Sequence, residues 1–129
     1  MAIERFASGG PWEAAVGYSR AVRAGDLVLV AGTTAVDEDG VVLGPGDAYE
    51  QAVIILDRIE QALARAGARI DQVVQTRVYL TDAGRADEVG RAHAERFGEQ
   101  RPVMTMLAVA ALLDPRMLVE IEAAAYVGD

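Results

Sequence analysis

The segment Val119-Glu120-Ile121-Glu122-Ala123-Ala124-Ala125-Tyr126-Val127 constrains this chain more than any other. It is rich in strand formers, and successive side chains of a strand point to opposite faces of a sheet. Val119, Ile121, Ala123, Ala125 and Val127 therefore make one apolar side, suited to a layer of helices. Glu120, Glu122, Ala124 and Tyr126 make the other. Two carboxylates on so apolar a strand require a face that is either wet or covered by another subunit. A two-layer domain of 129 residues has only one helix layer to offer. The second face is thus expected to be covered by association with further copies.

The rest of the chain supplies those layers. Ile3 to Phe6 reads as a short strand, followed by turn-forming Ser8-Gly9-Gly10-Pro11-Trp12. Tyr18 to Arg23 and Leu27 to Ala31 read as a hairpin across Ala24-Gly25-Asp26. Val41 to Leu43 is at most a short strand. A helix follows: Asp47 and Glu50 have capping-box spacing, and Ala52, Ile55, Leu56, Ile59 and Leu63 recur at three- and four-residue steps. Gly67 suits the position just past its end. Val73 to Leu80 is a strand, and Ala86 to Phe97 a second helix with Val89, His93 and Phe97 on one face. Met104 to Ala110 and Leu118 to Val127 complete the order as two last strands. The expectation is one α+β domain over residues 1–129, a mixed β-sheet with two helices packed on one face.

Composition narrows the chemistry. Cysteine is absent, which removes disulfides, thiolate nucleophiles and Cys-based metal sites, and the one histidine, His93, excludes a multi-His metal site. No metal and no cofactor is expected. All twelve basic residues are arginine, so Schiff-base and P-loop lysines are excluded. A net charge of −8 argues against nonspecific binding to nucleic acid or to anionic membranes. The opening residues lack a signal-peptide layout, and no apolar run approaches the ~20 residues of a membrane span. A cytoplasmic location is the expectation.

Three stretches carry a family resemblance. Gly17-Tyr18-Ser19-Arg20-Ala21-Val22 is similar to a G-x-Y-S-x-A opening, Val30-Ala31-Gly32 follows, and Val119-Glu120-Ile121-Glu122-Ala123 is similar to V-E-I-E-A. Between them, Gln51, Leu56, Gly67 and the run Val74 to Asp82 keep the same order. Over about residues 15 to 127 the chain resembles the RidA family, also called YjgF-like or L-PSP. The resemblance implies a chorismate-mutase-like fold and a homotrimer in which the sheets form an inner barrel. It also implies small-molecule clefts between subunits.

Members of that family with 2-imino acid deaminase activity hold the substrate carboxylate with an arginine in a P-A-R-S-T stretch. A glutamate, the first in E-I-E, positions the attacking water, and a tyrosine of the opening motif lines the pocket. Carried over, these are Glu120 as the catalytic residue, with Tyr18, Gly32 and Thr105 lining the cleft. The arginine position is Met104 in Pro102-Val103-Met104-Thr105-Met106. A thioether cannot pair with a carboxylate, so the chain resembles a branch lacking the carboxylate-binding arginine, and efficient 2-imino acid deamination is not implied. Arg20 and Arg101 each read either as a substitute cation or as a surface arginine. Met104 reads as ordinary packing or as the wall of a more apolar cleft, and Glu122 as a barrel-lining polar residue. His93 reads as a packed or interfacial residue, and Trp12 as a lid or a plug at a subunit contact. Two functions remain open: hydrolytic deamination of a small imine or enamine, and a non-catalytic module that binds or senses a small metabolite. A ribonuclease finds little support, since one Trp, four Tyr and two Phe in an acidic chain offer no RNA track.

Overall fold

The structure is a computed structural model that describes residues 2–129. Six strands form one sheet: β1 (Ile3–Phe6), β2 (Ala21–Ala24), β3 (Leu27–Thr33), β4 (Val73–Leu80), β5 (Val103–Ala108) and β6 (Val119–Tyr126). Their order across the sheet is β1-β2-β3-β6-β4-β5. β6 lies antiparallel between β3 and β4, and β4 pairs in parallel with β5. The chain returns between these strands through α1 (Ala48–Arg65) and α2 (Ala86–Phe97). Both helices pack on one face, against each other and against the sheet. This is the α+β arrangement of a mixed sheet with a single helix layer.

The alternation along β6 decides which face is which. Val119, Ile121, Ala123 and Ala125 are buried, while Glu120, Glu122, Ala124 and Tyr126 are half-buried or exposed. On α1 the apolar stripe Ala52, Ile55, Leu56, Ile59 and Leu63 is fully enclosed. Each larger side chain there contributes about 1.5–3 kcal/mol of burial. The opposite, open face carries Leu27, Leu29 and Tyr126, all exposed apolar side chains.

Local chemistry sets the element ends. The Asp47 carboxylate accepts from the Glu50 amide at 3.0 Å. The expected reciprocal half of the capping box is replaced, because the Asp47 amide donates to Gly44 O at 3.0 Å. Gly67, at φ +82°, turns the chain away from α1. The first strand of the hairpin, β2, starts at Ala21, three residues later than expected. Tyr18 and Ser19 are drawn out of the sheet because the Tyr18 amide closes a wide helical turn, Glu13–Gly17, by donating to Glu13 O at 3.0 Å. Val41 to Leu43 contributes one bridge, Val36 to Val42, and no strand.

Gln51 is fully buried on α1, and its amide group is completely used. Nε2 donates to Gly44 O at 3.2 Å and to Arg116 O at 2.9 Å, and Oε1 accepts from the Leu118 amide at 2.9 Å. It thereby ties the start of α1 to the start of β6, two residues before Glu120. His93 is also buried. Its Nε2 lies 2.8 Å from Thr76 Oγ1, and its ring tilts onto Phe97 with centroids 4.7 Å apart. It is a packed residue joining α2 to β4. Among the described residues, no helix is long and apolar enough to cross a membrane.

Candidate functional site

Glu120 stands near the start of β6 on the open face of the sheet. It faces a break in the β3–β6 register: Val30 pairs with Ala123, but Thr33 pairs with Ile121, so Ala31 and Gly32 together oppose one residue. Such bulges re-aim the chain beside them. Here the bulge brings the Gly32 backbone against the Glu120 carboxylate. A Cβ on Gly32 would lie 2.5 Å from Glu120 Oε2 and 3.1 Å from Cδ. Glycine is required at this point by the space the acid occupies.

The two acids of β6 have different surroundings. Glu122 Oε1 accepts from the Tyr79 hydroxyl and lies 3.5 Å from Arg77 Nη1. Among the described residues, no group donates a hydrogen bond to Glu120, and its oxygens are open to solvent. Burial pushes the Glu120 carboxyl above the usual glutamate range, the Glu122 charge pushes the same way, and Arg20 opposes both. The hydrogen bond to Glu122, then burial and the Glu122 charge, raise the Tyr79 phenol. An open concavity of about 280 Å³ lies over Glu120, walled by Gly32, Tyr79, Glu122, Val109 and Leu112. A broader trough of about 500 Å³ shares Glu122 with it and is lined by Tyr18, Leu29, Gln75 and Arg77.

Arg20 connects these parts. Its Nη1 donates to Gly32 O and to Thr33 Oγ1, both at 2.9 Å, and its Nη2 reaches the Tyr18 hydroxyl at 3.4 Å. Its guanidinium carbon sits 5.6 Å from the Tyr18 ring centroid. Its Nε lies 3.7 Å from Glu13 Oε2. Glu13, which no sequence pattern singles out, is a buried acid at the start of the wide helical turn. It accepts from the Ser8 amide at 3.0 Å and from the Ser8 hydroxyl. Burial works against its ionisation, but the Ser8 bonds and the Arg20 charge outweigh it and hold the carboxyl below its ordinary range.

Met104 and Thr105 lie elsewhere. Both are on β5, with β4 between them and β6. Thr105 pairs with Arg77 and shares the open face with Glu122, whereas Met104 pairs with Thr76, whose side chain faces α2. Within one chain, Met104 and Glu120 are therefore on opposite faces, two strand spacings apart across the sheet and three residues apart along it, since Glu120 pairs with Tyr79 and Tyr79 with Leu107, a separation of roughly 14 Å. Tyr18, Arg20, Gly32 and Glu120 come together in one chain; Met104 does not join them. Arg101 takes φ +53° after α2, and its Nε donates to Gly98 O at 3.1 Å, which commits it to the helix end. Trp12 is exposed at the head of the Glu13–Gly17 turn. Among the described residues, no three His, Cys, Asp or Glu side chains converge as a metal site would require.

Comparison with known proteins places this geometry. The family described as endoribonuclease L-PSP matches residues 11–127. The chain is 46% identical over 127 residues to the uncharacterized protein SCO2049 of Streptomyces coelicolor, covering 98% of this chain and 94% of that protein. It is 32% identical over 110 residues to the 3-aminoacrylate deaminase RutC of Acinetobacter baylyi, covering 85% of this chain and 86% of that one. The crystal structure of Rv2704 from Mycobacterium tuberculosis, described as a member of the YjgF/YER057c/UK114 family, superposes with a TM-score of 0.88. It is 51% identical, and the match covers 98% of this chain and all of that chain. The bulge at Gly32, the free acid at Glu120 and the single helix layer belong to a member of the endoribonuclease L-PSP family, the RidA/YjgF family that the three sequence stretches resemble.

Proposed function

We propose that this chain hydrolyses a small imine or enamine lacking a carboxylate, in clefts shared between copies of itself, with the attacking water held by Glu120. One observation carries the reading: Glu120 is half-buried, unpaired and given its space by Gly32, while its neighbour Glu122 is occupied by Tyr79 and Arg77. An acid in that state can accept a hydrogen bond from water and then its proton. As the water oxygen adds to the C=N carbon, the π pair moves to nitrogen and Glu120 takes the proton. With the substrate in its iminium form, Glu120 then returns that proton to nitrogen; as the C–N bond breaks and its pair leaves with ammonia, the hydroxyl proton passes to Glu120 and the O–H pair closes the carbonyl of the product. An enamine enters the same sequence after protonation at carbon. That a relative is named 3-aminoacrylate deaminase supports deamination of an enamine as the reaction; its named substrate is a carboxylate, and the preference for substrates without one rests on Met104 in this chain.

The clefts follow from the open face. Tyr18, Thr105 and Glu120 lie on or beside it, and Met104 faces the other way at the β5 edge, so a cleft holding Met104 with Glu120 takes them from two chains. A homotrimer with three such clefts is the assembly we assign. Met104 in place of an arginine forgoes a charge-assisted pair of roughly 1.5–3 kcal/mol per hydrogen bond. Imines of 2-amino acids are accordingly poor substrates. Small molecules rather than RNA are the partners. Ammonia release from a panel of amine-derived imines, with and without a carboxylate, tests the proposal. Glu120→Gln is expected to lose roughly 10²–10⁴-fold in rate; a variant as active as the parent would end the assignment.

A second reading is favoured by the lining of the Glu120 concavity, which among the described residues includes no cation: a module that holds a neutral carbonyl compound without turnover. Thermal-shift screening against keto acids and apolar carbonyl compounds separates the two, because stabilisation without consumption marks the module.

A further inference from the structure

The geometry points to Glu13 and Arg20 as an ionic latch that positions the cleft, holding the segment Ser8–Tyr18 against the end of β3 where Glu120 stands. This rests on the cleft reading above for its purpose, and on geometry alone for its existence.

The segment has little of its own to hold it down. Gly9 and Gly17 both take positive φ, and Trp12, Val16 and Tyr18 are exposed. A charged residue in such a segment ordinarily faces water. Glu13 instead is only 6% exposed, with the Ser8 amide and hydroxyl on its carboxylate and Arg20 beside it. A Cβ on Gly10 would lie 3.1 Å from Glu13 Oε2, so the turn is wrapped closely around this acid. On the other side of the latch, Arg20 Nη1 donates to both Gly32 O and Thr33 Oγ1. Gly32 is the residue packed against the Glu120 carboxylate. One guanidinium thus fixes Tyr18, the bulge and the seat of Glu120 together, a task for a planar multi-donor group that an ammonium cannot perform.

Arg20 is then a positioning residue rather than an anion trap. Its donors are directed at the protein's own oxygens and its charge is answered by Glu13. A ligand carboxylate entering the cleft finds that cation engaged.

Trp12, the single tryptophan, rides on the latched segment and reports its closure. We would measure acrylamide quenching of Trp12, and the titration of the Glu120 carboxyl by carbon NMR, in the full chain and in Glu13→Gln, Arg20→Gln, Arg20→Lys and Ser8→Ala. The charged and titratable groups around Glu120 are Glu122, Tyr79 and Arg20. Glu13→Gln and Arg20→Gln are expected to raise the quenching constant about two-fold, as for a segment released to open locally. Arg20→Gln also moves the Glu120 titration upward. Arg20→Lys restores most of that titration, because the charge is kept, but not the closure. Ser8→Ala, which retains both charges, gives a smaller rise in quenching and guards against a variant that fails to fold. Quenching unchanged in Glu13→Gln, Arg20→Gln and Ser8→Ala would overturn the latch. An inactive enzyme with the expected quenching changes would instead count against the hydrolytic reading and leave the latch standing.

Discussion

The Cα of Gly32 and the carboxylate of Glu120 occupy adjoining space, so that a single added methyl at Gly32 would lie 2.5 Å from Glu120 Oε2. Gly32 is not in the left-handed region, so alanine fits its backbone. Gly32→Ala therefore leaves folding stability within about 1 kcal/mol of the parent. It displaces the acid and lowers ammonia release about ten-fold or more, since sub-ångström positioning of a catalytic group is worth that much. Thermal melts read alongside initial rates check both halves.

In the proposed reaction the raised Glu120 carboxyl sets the acid limb of the rate profile. The working form is the anion, so rate falls as pH drops through its pKa, and that midpoint lies above the ordinary glutamate value of 4.5. Glu122→Gln removes the like charge that helps raise it. The limb then moves toward lower pH, and a profile of kcat/KM against pH shows the displacement.

Burial lowers the pKa of His93 below its ordinary 6.5. The unfolded chain then binds the proton more readily than the folded one. Stability is complete above pH 6.5 and declines as pH falls from there through the folded-state value. His93→Gln keeps a partner for Thr76 and removes this part of the slope. Thr76→Val leaves the imidazole unpaired and costs about 1–3 kcal/mol. Denaturant midpoints at pH 5 and pH 8, taken as about two points bracketing the window, distinguish these outcomes.

Leu29 lies exposed on the open face, directly opposite Ala124 of β6. In the proposed trimer this face is covered. Sedimentation of the parent should give about three times the chain mass of 13.7 kDa. Leu29→Asp should sediment as the single chain and lose its activity with the shared clefts. A parent that sediments as a monomer at assay concentration would remove the basis for a shared site.

Met104→Arg tests the missing cation directly. The side chain is well exposed at the sheet edge, so the change is tolerated by the fold. Affinity for carboxylate-bearing imines or keto acids should rise about ten-fold, the worth of one charge-assisted hydrogen bond. Calorimetric titration with a small keto acid provides the reading.

Much of this was legible from residue patterns. The two faces of β6, the stripe on α1 and the span of α2 follow from periodicity, because burial against one layer imposes it. Glu120 and Gly32 stood out through the resemblance, but their mutual contact did not, since it arises from a bulge between distant strands. Glu13 had no local signature at all: its burial depends on Ser8 and Arg20 closing around it. Nor could alternation along β5 alone reveal that Met104 faces away from Glu120. That needed the pairing of Met104 with Thr76, and of Thr76 with His93.

Gln51 anchors the loop before β6 at Arg116 and Leu118, while Val109 and Leu112, farther up the same loop, form the wall over Glu120. The wall over Glu120 and the start of β6 thus have separate anchors, since the Val109 amide donates to Leu80 O of β4 while Gln51 holds Arg116 and Leu118. Exchanges at Ala111 and Leu112 would reshape the concavity over Glu120 from a stretch that Gln51 does not hold, so the contour of that hollow and the seat of β6 can vary separately.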